Sequence, residues 1–271
     1  MVGNNTMRFL FLILFTGYFS FAQVQLLSWN IENLGKSKSP ETIAYIAQTM
    51  QDYDVIAIQE VVAGYGGSQA VVQLVDALNR LGNKWDYTIS DPTSSSAYKT
   101  ERYAFIWKPS RVQKVGAAWL ESHYSLVIDR EPYFCTFNYE GKTFTVVNFH
   151  AITKSKQPET EIKYFKYFPE VYAGLNLIFA GDFNCPQSHT VFFPWRKMDF
   201  LPAFRKQKTS LKKSCSTNDC LASEFDNIWY NTKKVSLVAS NVIHFYKDFE
   251  NLKAARLISD HVPIGISFVL K

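Results

Sequence analysis

Asn176-Leu177-Ile178-Phe179-Ala180-Gly181-Asp182-Phe183-Asn184 is an apolar run that stops at a glycine and then presents a carboxylate and an amide. Its length and composition are those of a buried β-strand. A strand serving only as core would finish in a turn former. This one delivers Asp182 and Asn184, two residues apart and so expected on one side of an extended chain. The pattern recurs. Apolar runs at 24–29, 54–58, 103–107, 133–137, 144–149, 225–229 and 262–269 read as further strands, and polar groups adjoin many of them. Asn30 follows the first, Glu60 the second and His150 the run 144–149; Asp226 lies at the head of 225–229, and Asp260 and His261 immediately precede 262–269.

Helical periodicity fills two of the gaps. Residues 40–51 carry Ile43, Ile46, Ala47 and Met50 at helical spacing, with Ser39 as the expected N-cap and Pro40 in the first turn. Residues 68–81 carry Val71, Leu74, Val75 and Leu78 and stop at Gly82, a natural C-terminal cap. A weaker helix is expected over 159–172. Strands and helices mix without strict alternation, no internal repeat or linker is visible, and one α/β domain over 23–271 is the economical organisation.

Composition agrees with a packed globule. Of 271 residues, 47% are hydrophobic, 16% aromatic and 20% charged, which excludes disorder as the main state. The net charge of +5 tolerates a polyanionic partner without demanding one. Residues 1–22 read as a secretory signal peptide: Arg8, an apolar run over 9–15, then Ser20-Phe21-Ala22 with small residues at the cleavage positions. That run is well short of the ~20 residues a membrane span needs. A secreted or periplasmic location is therefore expected. Export would put Cys135, Cys185, Cys215 and Cys220 in an oxidising setting where at least one disulfide forms, and the sequence leaves the pairing open. No Cys-x-x-Cys pair accompanies histidine at zinc spacing.

The chemistry of the strand-end set is coherent. Carboxylates and amide oxygens are hard ligands for Mg²⁺, Mn²⁺ or Ca²⁺, and histidines move protons near neutral pH. Phosphodiester hydrolysis needs an aligned water, a cation on the non-bridging oxygens and a proton route to the leaving oxygen. This set can supply each. His123, His189 and His244 match no motif.

Taken in order, Trp29-Asn30-Ile31, Ile58-Gln59-Glu60, Gly181-Asp182-Phe183-Asn184 and Ser259-Asp260-His261-Val262-Pro263 resemble the endonuclease/exonuclease/phosphatase superfamily. Within it the likeness is to the secreted deoxyribonuclease I branch, through Tyr98-Lys99-Thr100-Glu101-Arg102-Tyr103, Arg130-Glu131-Pro132, and Ser216-Thr217-Asn218 with Cys220 before Phe225-Asp226. The resemblance implies a four-layered α/β sandwich, two packed mixed sheets flanked by helices. It also implies a metal-dependent endonuclease that cuts DNA and leaves 5′-phosphates. Glu60 would be the principal metal carboxylate, with Asn30 and Asp260 beside it, and Mg²⁺ or Mn²⁺ the expected ion. Asp182 and Asn184 would hold the phosphate side. His261 with Asp226, and His150 with Glu101, would form two carboxylate–histidine pairs, one deprotonating water and one protonating the leaving oxygen. Arg102 and Arg130 would contact phosphates or brace the site.

The branch also implies a bridge like Cys185–Cys220, with Cys215 competing for either partner. Its calcium-binding loops have no recognisable counterpart here. Glu32 and Val62 stand where the branch carries basic residues, and Thr100 adds one residue before Glu101. A basic stretch over 196–213, with Phe200 and Phe204 interleaved, is a candidate backbone-phosphate contact. Little sequence preference is expected, since nothing resembles base-edge readout. DNA is the expected partner, no obligate protein partner is called for, and a monomer is expected. The alternative is a same-fold phosphodiesterase or phosphatase acting on lipid head groups, for which 191–195 is the one candidate apolar loop.

Overall fold

The computed structural model describes residues 23–95, 100–215 and 219–271. The expected signal peptide, residues 1–22, lies outside the described residues, as do Tyr98, Lys99, Ser216, Thr217 and Asn218 of the motifs above.

Two six-stranded sheets form the centre. The first contains β1 (Val24–Leu34), β2 (Val55–Val62), β3 (Asp86–Ile89), β4 (Glu101–Trp107), β11 (Val235–Val242) and β12 (Ile264–Leu270), in the order β11-β12-β1-β2-β4-β3. The second contains β5 (Gln113–Leu120), β6 (Tyr133–Tyr139), β7 (Lys142–His150), β8 (Leu177–Asp182), β9 (Phe200–Pro202) and β10 (Asp226–Asn231), in the order β5-β6-β7-β8-β10-β9. Each sheet has one parallel pair at its middle, β1 with β2 and β7 with β8, flanked by antiparallel neighbours. A parallel pair requires a crossover, and helices supply it. α1 (Pro40–Met50) connects β1 to β2; short helical turns including α3 (Glu159–Ile162) and α4 (Phe168–Val171) connect β7 to β8. α2 (Tyr65–Arg80), α5 (Phe193–Lys197) and α6 (Leu252–Ala255) complete the helical elements used below.

Three apolar clusters separate the layers. One lies between the sheets, with Leu26, Val55, Phe105, Val146, Ile178 and Ile266. Another packs α1 and α2 on the first sheet, and the third packs Ile162, Phe165, Phe168 and Trp195 on the second. The layers therefore run helix, sheet, sheet, helix, the four-layered α/β sandwich expected from the sequence. Ser39 caps α1 as expected, its hydroxyl accepting from the Thr42 amide at 3.2 Å, a contribution of about 1 kcal/mol. Gly82 follows α2 with φ of +101°, a conformation open to glycine at little cost.

The expected helix over 159–172 is instead broken into α3, a 3₁₀ turn and α4, since Pro169 removes an amide donor from its middle. The sequence reading also omitted strands β3, β5, β9 and β11.

The position of the site follows from the period of two along the strands. In β1, Val24 and Leu26 face the intersheet core, and Ser28 and Asn30 continue that face. In β7 the face runs Phe144, Val146, Asn148, His150; in β8, Ile178, Ala180, Asp182. β4 and β10 run the other way, so Phe105, Tyr103 and Glu101, and likewise Tyr230, Ile228 and Asp226, carry the same sequence in reverse. The space between the sheets is thus apolar at one end and lined with carboxylates, amides and imidazoles at the other.

Candidate active site

Two residues on the intersheet face lock the sheets just behind the polar end. Gln59 Nε2 donates to Asn148 Oδ1 at 2.6 Å, and Asn148 Nδ2 donates to the carbonyl oxygens of Ile58 and Ala104 at 3.0 and 3.3 Å. Gln59 belongs to one of the quoted motifs, yet neither residue lines the cleft. Gly181 allows β7 and β8 to close there: a Cβ on it would lie 1.9 Å from the Phe149 carbonyl oxygen, so only glycine lets His150 and Asp182 stand as direct neighbours.

Past this lock lies a cleft of about 400 Å³ lined by Glu60, His150, Asp182, Asn184, Asp260 and His261, with Arg130, Ser210, Lys213 and Arg256 among its other walls. A second depression of about 450 Å³, lined by Ser94, Leu126, Ile152 and Glu161, is larger but holds none of these histidines and amides.

Asp182 Oδ2 is the centre of the site. His150 Nε2 and His261 Nε2 each approach it to 3.5 Å, and Asn30 Nδ2 donates to it at 3.2 Å. Behind His150, Nδ1 faces Glu101 Oε2 at 2.9 Å; behind His261, Nδ1 faces Asp226 Oδ2 at 2.7 Å. Each carboxylate fixes the ring so that Nε2 faces the cleft. Burial pulls both imidazoles down in pKa, but the carboxylates more than reverse it. His150 is raised by Glu101, and His261 is raised well above its ordinary value by Asp226 and Asp182. Burial alone would raise the Glu101 carboxyl; His150 and Arg130 hold it below its ordinary range.

Glu60 sits at a bulge in β2, where pairing with β4 slips between Ile58 and Val61, and it adopts a left-handed φ of +61°. The bulge re-aims its side chain into the cleft mouth at a cost of order 1–3 kcal/mol. Glu60 Oε1 accepts from Asn30 Nδ2 at 3.1 Å, and the Glu101 carboxylate accepts from the Glu60 amide at 3.3 Å. Asn184 is also left-handed, with φ of +48°. The expectation that Asp182 and Asn184 share a side of an extended strand is corrected here: β8 ends at Asp182, and an Asx turn, with the Asn184 amide donating to Asp182 Oδ1 at 2.8 Å, brings the two side chains together.

The donor set fits a hard divalent cation. Glu60 and Asp260 offer carboxylate oxygens, and Asn30 Oδ1 is fully buried without a hydrogen-bond partner. Burial, then Asp260 and Glu60, push the neighbouring Glu32 carboxyl up, a sign of concentrated negative charge. Asp182, Asp226 and His261 also bring three ligand atoms within 4.8 Å. Asp226 and His261 are committed to each other, so that trio is better suited to proton handling than to holding an ion.

The two arginines expected at the substrate part company. Arg130 lines the cleft but is nearly buried, with Nη1 on Glu101 at 3.1 Å, Nε on the His150 carbonyl at 3.0 Å and Nη2 on the Ala151 carbonyl. It braces the His150–Glu101 pair. Arg102 does not line the cleft; it donates to the Ala63 and Ser90 carbonyls at 2.8 and 2.7 Å and ties two loops together.

The basic stretch over 196–213 is also divided. Lys208 and Lys212 pair with Asp219 at 3.0 and 3.3 Å, Arg196 turns to Gln187, and Phe200 and Phe204 are buried. Of the basic residues in that stretch, only Lys213 lines the cleft. In 191–195, Phe192 and Trp195 are buried in the third cluster and Phe193 alone is largely exposed, so this loop presents a single aromatic side chain to solvent. Among the described residues no helix is long and apolar enough to cross one.

The disulfide joins Cys215 to Cys220. The Cys185–Cys220 bridge is overturned: Cys185 is a free thiol buried beneath the second sheet's helices. Three residues the sequence reading missed help build the site. Ser259 Oγ donates to the Asn30 carbonyl at 2.6 Å and accepts from the His261 amide at 3.0 Å; Thr209 Oγ1 accepts from the Asp226 amide at 2.9 Å. Arg256, four residues before Asp260, lies 3.4 Å from its carboxylate. Its helical spacing from Asp260 was the available signal.

Known proteins are similar to most of the length of this chain. A deoxyribonuclease of Thioalkalivibrio sp. (strain K90mix) is 29% identical over 273 residues, covering 91% of this chain and 71% of that protein. Deoxyribonuclease-1 of Canis lupus familiaris is 27% identical, covering 90% and 91%. The solved structure of a mannosyl-6-phosphatase from Bacteroides thetaiotaomicron superposes with a TM-score of 0.65 at 18% identity, covering 91% of this chain and 99% of that one, a likeness of fold. The model of the endonuclease/exonuclease/phosphatase family matches residues 27–261, and the chain belongs to that family of hydrolytic enzymes.

Proposed function

We propose that residues 23–271 are the catalytic domain of an exported, divalent-metal-dependent endonuclease that hydrolyses DNA phosphodiester bonds with little sequence preference. One observation carries the reading: two carboxylate-backed imidazoles present Nε2 to the same buried carboxylate, each 3.5 Å from Asp182 Oδ2. A phosphate beside Asp182 and Asn184 then has a proton-transferring nitrogen on either flank. The attacking water and the leaving 3′ oxygen lie on opposite sides of phosphorus in an in-line displacement. Two general acid–base groups facing each other are what that geometry demands.

In this reading one histidine takes the water's proton and the other protonates the departing oxygen, leaving a 5′-phosphate. The face by which the leaving oxygen enters decides which does which. Glu101 and Asp226 hold each ring in the tautomer with Nδ1–H toward the carboxylate and stabilise the imidazolium. Arg130 keeps Glu101 ionised and in place. Asn184 Nδ2 donates to the Ala151 carbonyl at 3.1 Å and reaches Asp182 Oδ2 only at 3.5 Å, a long contact that a phosphate oxygen would replace. Glu60, Asn30 and Asp260 would hold a Mg²⁺ or Mn²⁺ ion, which neutralises charge on the non-bridging oxygens when bound. The Cys215–Cys220 disulfide supports export.

The test is a substrate panel on the purified mature chain with Mg²⁺ or Mn²⁺: supercoiled plasmid, single-stranded DNA, RNA, sphingomyelin and inositol phosphates. Nicked plasmid with ligatable 5′-phosphate ends is the expected product. Hydrolysis of sphingomyelin or an inositol phosphate with plasmid left intact would replace this reading by the head-group one.

A further inference from the structure

Three cations line the cleft: Arg130, Lys213 and Arg256. Arg130 is nearly buried and directs Nε, Nη1 and Nη2 to the His150 carbonyl, Glu101 and the Ala151 carbonyl. The other two share one wall. Arg256 caps the C-terminal end of α6, and its Nη1 donates to the Leu211 carbonyl at 3.2 Å, two residues before Lys213. The Leu211 amide donates in turn to the Asp260 carbonyl at 2.7 Å, and Ser210 bridges to His261. The 209–213 segment and the end of α6 therefore form one edge of the cleft, directly beside Asp260 and His261.

The Arg256 side chain is 25% exposed and faces two carboxylates, Asp260 at 3.4 Å and Glu32, whose carboxyl it draws down. Only two of its five N–H donors are used, on Leu211 and Asp260, and the latter contact is long. Lys213 is exposed and makes no hydrogen bond or ion pair among the described residues. A guanidinium with spare donors and a free ammonium, on one rim next to the residues that flank the reacting phosphate, suit a second anion.

We infer that Arg256 and Lys213 form a subsite for the phosphate adjoining the one that is cut. The inference rests on the nuclease reading and deepens it. A substrate with consecutive backbone phosphates gains from this wall, and a single isolated phosphodiester does not. Preference for a polynucleotide then comes from this edge and not from the lysines of 206–212.

Two readouts test it. In chelator, a labelled single-stranded oligodeoxynucleotide is titrated by anisotropy across a salt series with the wild type, Arg256→Gln and Lys213→Gln. Each substitution is expected to reduce the slope of log K against log salt by about 0.7. With Mg²⁺, Arg256→Gln is expected to lower kcat/KM for the oligonucleotide about 10- to 100-fold more than for bis(p-nitrophenyl) phosphate, which has one phosphodiester and no neighbour. Lys213→Gln, which breaks no hydrogen bond or ion pair among the described residues, separates binding from loss of the Leu211 clamp. Unchanged slopes in both variants, or equal losses on both substrates, overturn the subsite while plasmid cleavage by the wild type keeps the nuclease reading. A wild type that neither nicks plasmid nor binds the oligonucleotide overturns both.

Discussion

Asp226→Asn isolates the partner of His261 with almost no change of shape. The native pair is short, 2.7 Å from Nδ1 to Oδ2, and both groups are buried, at 7% and 3% exposed. The amide keeps the size and an acceptor oxygen but loses the charge. It can also turn its NH₂ toward Nδ1 and select the wrong tautomer. General acid–base contributions of this kind are worth about 10²- to 10⁴-fold, so plasmid nicking is expected to fall by that factor with KM little changed. Stability falls as well, since a buried charge-assisted hydrogen bond contributes about 1.5–3 kcal/mol. For a domain of this size that lowers Tm by roughly 3–12 °C.

The pH dependence fixes the sign. Asp226 and Asp182 hold the His261 pKa well above its ordinary 6.5 against the downward pull of burial. A raised histidine contributes stability that is fully present below 6.5 and is lost as pH rises through the folded value. The Tm gap between wild type and variant, measured in chelator, should therefore be widest below pH 6.5 and narrow above it. Nicking at the wild-type rate, or a Tm gap that widens as pH rises, would refute the role given to the pair.

Glu101→Gln should act on the other histidine and also release Arg130; it is expected to cost at least as much activity as Asp226→Asn in the same nicking assay, and full activity would remove His150 from the mechanism. Chelator should abolish nicking and Mg²⁺ or Mn²⁺ restore it, with Glu60→Gln needing a much higher ion concentration for half-activity; ion-independent cleavage would contradict the ligand set. Non-reducing peptide mapping should recover Cys215 joined to Cys220, whose short loop is worth about 2 kcal/mol. Cys135 and Cys185, both buried with thiols pushed up to about 12, should resist alkylation until the chain unfolds.

The sequence was most legible where one period dominates. The central strands are buried on both faces, and their polar ends broke a continuous apolar run at Asn30, Glu60, His150 and Asp182. Edge strands gave no such contrast. β11 exposes half of its residues in one unbroken run and β5 is interrupted by Gly116 at positive φ, so neither carries a clean alternation. Partners set by tertiary contact were also out of reach. Cys215 outcompetes Cys185 because Cys185 is carried into an apolar cluster, which spacing along the chain cannot reveal. Arg102 and Arg130 look alike in sequence, yet one sits at a loop junction and the other beneath His150. Gln59 lies inside a diagnostic motif, yet it and Asn148 are spent on each other across the sheets.

That last pair bears on how a cleft so rich in buried polar groups stays rigid. Every carboxylate placed there must be matched, since an unpaired one costs several kcal/mol. Glu101 collects three donors from different elements: His150 on β7, Arg130 ahead of β6 and the amide of Glu60 on β2. Asp182 collects the Asn184 amide, Asn30 Nδ2 and two imidazoles. These bonds cross the gap between sheets, so the Gln59–Asn148 lock and the site residues reinforce one arrangement. Within the cluster around Glu60, the buried Asn30 Oδ1 is the acceptor left without a donor, while Asn30 Nδ2 serves Glu60 and Asp182 together. Two buried amide oxygens are left without a donor, Gln59 Oε1 in the lock and Asn30 Oδ1 beside the Glu60 carboxylate, and it is at the second, next to negative charge, that a cation completes the count.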